Sequence, residues 1–201
     1  AIPMSSTASG ISKLPEITQA AVFASIFAGA SLGTALVVNK IFPFFKRSLP
    51  TLFNAWSSSH WLIGLPFVAA GISHYTMHKE LVAIYPPPGT WGFWYLPGSA
   101  DFHVSWTGVA EALGGLGVLA GTLARRPALT RLSAASLFVL TFALTPSNIY
   151  IYTHDVPFFG SVMPVSGHII GATVKMLLLG VLAHLAGWGP AAAGSSQSKD
   201  K

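Results

Sequence analysis

ITQAAVFASIFAGASLGTALVVNKIF, residues 17–42, holds a single charged side chain, Lys40. A helix rises about 1.5 Å per residue, so this run is long enough to cross the ~30 Å of hydrocarbon in a bilayer. The rest of the chain agrees with that reading. Of 201 residues, 52% are hydrophobic and only 8% are charged. A soluble domain carries about 25% charged residues because its surface must face water. Too few are present here to coat a water-exposed globule, and lipid removes the need. Working outward, residues 60–78, 104–124, 128–150 and 167–188 form four further apolar stretches. Together they predict an all-α, polytopic membrane bundle of about five transmembrane helices.

The segments between these runs divide the chain. Residues 1–16 are small and polar. Residues 17–59 hold the first span, with a Gly29/Gly33 pair suited to close helix approach, and a basic, aromatic connector (FPFFKRSLPTLFNAW). Residues 60–188 hold four spans, and 189–201 form a low-complexity tail of the kind that stays mobile. Pro66 is expected to kink the second span. Residues 80–103 are not a span: YPPPGTWGFWYLPGSADFH carries four prolines and a cluster of Trp91, Phe93, Trp94 and Tyr95. Tryptophan and tyrosine favour the headgroup region, so this stretch reads as a structured loop on one membrane face.

The net charge of +5 would suggest nucleic acid in a soluble chain. Here the cations sit between apolar runs and report topology; no nucleic-acid partner is expected. Lys40, Lys46, Arg47, Arg125, Arg126 and Arg131, with Lys199 and Lys201 in the tail, fall on one side. Lys13 and Lys79 fall on the other. By the positive-inside rule the first group faces cytoplasm or stroma, and an organellar membrane such as the thylakoid fits. Without cysteine, thiolate relays and Cys-ligated metals are excluded within the chain.

Topology gathers the polar residues into the outer half. Glu111 and Lys175 fall at similar depth, and a lone charge there costs about 3 kcal/mol, so a Glu111–Lys175 ion pair is expected. His168 lies seven residues before Lys175 on the same face. His74 and His78 are spaced i, i+4, and Asn148, His154 and Asp155 sit at the outer end of the fourth span and beyond it. These eight residues are the ligand-binding or polar-pocket candidates, confined to one half of the bundle as a pocket would be and a channel would not. His74 and His78 in HYTMH lack the intervening glutamate of a metalloprotease helix. They read as interfacial hydrogen-bonding groups or as axial ligands to a tetrapyrrole. No catalytic set and no metal site is assigned.

Three stretches in order, AAGISHYTMHKELVAIYPP (69–87), WTGVAEALGGLGVLAG (106–121) and ALTPSNIYIYTHDVP (143–157), resemble the DoxX-like membrane family. The family pattern places G-V-A-E-x-L-G-G in a glycine-rich span, here 108–115, and a later P-x-N-I, here 146–149. The resemblance implies a four-helix unit over about 60–188, with Glu111 and Asn148 as its characteristic polar positions. The first span and the long aromatic loop are additions to that pattern, and both enlarge the surface open to partners. The resulting expectation is an accessory or scaffold subunit of a larger membrane complex, in contact with membrane lipids and other subunits, rather than an enzyme. Two alternatives stand beside it: a quinone-linked oxidoreductase component, and a chlorophyll- or carotenoid-binding subunit of a photosynthetic assembly.

Overall fold

The computed structural model describes residues 9–188; the tail expected at 189–201 lies outside them. Among the described residues every regular element is helical. α1 (Glu16–Leu36) runs through a π turn (Val37–Ile41) into α2 (Phe42–Ser48), and α3 (Pro50–Ser58) follows. A 3₁₀ turn then leads to α4 (Gly64–Thr76), α5 (His78–Ala83), α6 (Ala100–Leu123), α7 (Pro127–Ala143), α8 (Thr145–Thr153) and α9 (Val165–Leu185).

Among the described residues three stretches are long and apolar enough to cross a membrane: Glu16–Ser48, Pro127–Thr153 and Val165–Leu185. α4 has 13 residues and α6 has 24, with Glu111 and five glycines in the latter. α4 is too short to span by itself, and it lies against α6 with Gly64, Phe67, Gly71 and His74 buried while Leu65, Ile72 and Tyr75 stay exposed. Their backbones touch. A Cβ on Gly71 would lie 2.5 Å from the Gly108 carbonyl oxygen, and one on Gly115 would lie 2.6 Å from that of Gly64. Only glycine permits that approach.

Several breaks differ from the expected spans. Pro66 falls in the first turn of α4, where its missing N–H costs nothing, so it does not interrupt the helix. The interruption is at Met77 (φ −122°, ψ 35°). Pro146 ends α7 at Leu144 and starts α8. Pro43 cannot donate to the Asn39 carbonyl, and the helix widens just before it, with Phe42 N–H bonding to Val37 O. Ser99 accepts from Phe102 N–H (3.1 Å) and so starts α6 earlier than residue 104.

The apolar core is Phe67, Val118, Ala134, Leu137, Leu182, Leu185 and Ala186, where α4, α6, α7 and α9 meet toward the basic end. α9 joins by that half alone. Its buried residues are Leu179, Gly180, Leu182, Ala183 and Leu185, whereas Val165, Ile169, Ile170 and Val174 are exposed. The connector closes the same end, with Phe42, Phe53 and Trp56 ringed around His184.

Candidate functional site

Above this apolar floor, Glu111 sits about 16 Å along α6 from its outer end and Lys175 about 15 Å along α9. The two share a depth. They do not form the expected ion pair: among the described residues no carboxylate lies within 4.0 Å of Lys175. Glu111 is 7% exposed and turns to His74 instead, Oε2 to Nε2 at 3.4 Å, without the alignment of a hydrogen bond. The cause is the glycine contact between α4 and α6. With Gly108 packed against the Cβ of His74, the imidazole is brought alongside Glu111 one turn further on.

His74 Nδ1–H donates to the Val104 carbonyl (2.6 Å), with Thr107 Oγ1 at 3.3 Å. Nε2 therefore presents either a lone pair or a second N–H to Glu111. A lone pair facing a carboxylate repels it, so an N–H directed at Glu111 is the favourable arrangement. The site is thus a buried carboxylate facing an imidazole, with the Lys175 ammonium at similar depth and no carboxylate within 4.0 Å of it among the described residues.

The other candidates are held apart from it. His78 donates Nδ1–H to the His74 carbonyl (3.0 Å), and its Nε2 faces Asp101 Oδ1 at 3.2 Å. Asn148 is exposed on α8. His168 packs edge-on to Tyr152, ring centres 5.0 Å apart. Asp155 lies in the left-handed region (φ 50°) at the end of α8 and accepts from Ser9 N–H (2.7 Å), which ties the N-terminal segment to this end. His154 donates Nδ1–H to Thr153 Oγ1 (2.9 Å). Burial holds its imidazole pKa below the usual histidine value, with Asp155 opposing the shift. No group of three or more His, Asp or Glu side chains able to hold a metal ion occurs among the described residues.

The aromatic loop does more than lie on the membrane face. Trp91 is 2% exposed in a left-handed conformation (φ 57°). Its Nε1–H donates to Thr153 Oγ1 (3.0 Å), a hydroxyl that donates in turn to the Ile149 carbonyl (2.9 Å). Phe23 of α1 packs on Trp91 and Phe93, ring centres 4.5 and 5.2 Å away. α1 and the aromatic loop thus pack on each other, although Phe93, Tyr95 and Leu96 still face outward. Thr107, Thr153 and His103 were not singled out from sequence. Thr107 was findable, because it precedes Glu111 by four residues on the glycine face. His103, which donates Nε2–H to the Pro97 carbonyl (2.8 Å) and accepts from Trp106 Nε1–H (3.1 Å), carried no such signal.

No family model matches the chain, and no curated protein or solved structure is significantly similar to it.

Proposed function

We propose that the chain is a five-span accessory subunit of a larger membrane complex, built on a four-helix unit that resembles the DoxX-like family. One observation carries the reading. The outer half of α9 is left out of the bundle, and Lys175 on it is half-buried with no acceptor within reach among the described residues. Lipid tails do not satisfy an ammonium group, and a partner helix bearing a carboxylate does. The basic end then faces cytoplasm or stroma, and an organellar membrane such as the thylakoid is one setting for it. Solubilised in mild detergent from its native membrane, the protein should co-migrate with other subunits on a native gel, and Lys175→Gln should release it. Migration of the wild-type chain as a monomer alone would refute this reading.

A second reading, a quinone-linked redox component, is supported by the buried Glu111 carboxylate facing the His74 imidazole at 3.4 Å. It requires a quinone that co-purifies with the chain and is lost in Glu111→Gln. Pigment binding draws less support. Axial ligation needs a ring nitrogen directed at the metal, and both nitrogens of His74 and of His78 already face polar groups.

A further inference from the structure

The basic end of the bundle carries an open bay of about 480 Å³ where α6, α7 and α9 meet, lined by Thr122, Arg125, Thr130, Arg131, His184 and Gly187. Five carboxylates are described, Glu16, Glu80, Asp101, Glu111 and Asp155, and all belong to the other half of the molecule. Among the described residues Arg125 and Arg131 meet no carboxylate and donate no side-chain hydrogen bond.

The backbone beneath Arg125 makes this unusual. α6 ends with Arg126 N–H bonded to Gly121 O (2.7 Å) and Arg125 N–H bonded to Thr122 O (3.1 Å). That closing turn requires a left-handed residue, and Arg125 supplies it at φ 52°. α9 ends beside the same bay in the same way, Trp188 N–H bonding to Ala183 O (2.8 Å), but with Gly187 at φ 82°. Glycine is the residue that fits such a turn, and arginine is strained in it. The side chain therefore has a reason to be there other than the turn.

The helix dipoles divide. The C-termini of α6 and α9 turn negative ends to the bay, though the closing bonds already occupy three of their carbonyls. α7 begins there with Pro127, no acidic residue in its first turn and no side-chain cap, which favours an anion. Two guanidinium groups tip the balance toward negative charge. Leu129, Leu132 and Val139 along α7 are exposed, as is Trp188, and they offer an apolar surface leading away from the bay.

We infer that this bay holds the phosphodiester headgroup of an anionic phospholipid, with its acyl chains along α7. Arg125 and Arg131 bind the phosphate oxygens, as basic pockets between membrane helices do. The site is independent of the partner proposed above.

The test uses the full chain reconstituted in vesicles of equal parts phosphatidylglycerol and phosphatidylcholine, extracted gently, with retained lipid read by native mass spectrometry. Wild type should retain phosphatidylglycerol in preference. Arg131→Gln and Arg125→Gly should each cut that enrichment by about fivefold. Arg125→Gly should do so without lowering the thermal midpoint, because glycine relieves the turn. Arg126→Gln, an exposed neighbour outside the bay, should leave the enrichment intact. Equal retention of both lipids by wild type overturns the assignment, and so does an equal loss in all three variants. Displacement of the lipid by millimolar inorganic phosphate overturns it too, because the bay would then read a free oxyanion.

Discussion

Replacing Gly115 with alanine should separate α4 from α6, and the structure sets the size of the effect. The new Cβ would lie 2.6 Å from Gly64 O, 2.9 Å from Val68 N and 3.0 Å from Phe67 Cβ. Two of these are backbone atoms that no rotamer change can move. Restoring the 3.4 Å of ordinary contact requires α4 and α6 to part by about 0.8 Å, and the same opening loosens the Gly71–Gly108 contact and the approach of His74 to Glu111. Overpacking of this kind costs about 1–3 kcal/mol, offset by up to about 1 kcal/mol because alanine is the better helix former. The net loss of about 1–2 kcal/mol lowers the thermal midpoint by roughly 2–8 °C for a chain of this size. Gly29→Ala is the matched control. Nothing lies within 4 Å of a Cβ there, so its midpoint should hold or rise. Both are read by thermal unfolding in detergent micelles, followed by circular dichroism. Equal midpoints for the two variants would refute the close packing of α4 on α6.

Glu111→Gln keeps a donor for His74 Nε2 and should cost less than about 1 kcal/mol, whereas Glu111→Ala leaves the imidazole unmatched in a void and should cost about 1–3 kcal/mol; chemical unfolding in micelles separates the two. Thr153→Val strands the N–H groups of Trp91 and His154. It should destabilise by about 1–3 kcal/mol and weaken the near-ultraviolet dichroism of Trp91. The imidazole of His154 is held below its ordinary pKa by burial, so the unfolded chain takes up its proton first. Its contribution to stability is complete above about pH 6.5 and fades as the pH falls below that value. His154→Gln should therefore show a smaller drop in thermal midpoint than wild type between neutral and mildly acidic buffer.

The apolar runs and the depth of each polar group could be read from the residues, because length and helical rise depend on local sequence alone. Which groups meet could not. Glu111 and Lys175 were matched by depth, but pairing also depends on rotation about the helix axis. That rotation follows from where Gly71, Gly108 and Gly115 let two backbones touch. The glycines were visible as a close-packing face on α6, and their partner was not. The break at Leu144 had a local signal in Pro146, whereas the one at Met77 had none. Trp91 looked like an interfacial aromatic. Its burial rests on Phe23, 68 positions earlier, and Thr153, 62 positions later, contacts between segments far apart in the chain.

A five-span protein requires α6 to cross the bilayer, with the aromatic loop on one side and the α6–α7 turn on the other. The native chain has no cysteine, so single cysteines can be placed without background. Tyr95→Cys, Phe159→Cys and Arg126→Cys occupy exposed positions. In sealed vesicles of one orientation, a membrane-impermeant maleimide should label residues 95 and 159 from one side, and residue 126 only after the vesicles are opened, or the reverse. Labelling of residues 95 and 126 from the same side would contradict the account.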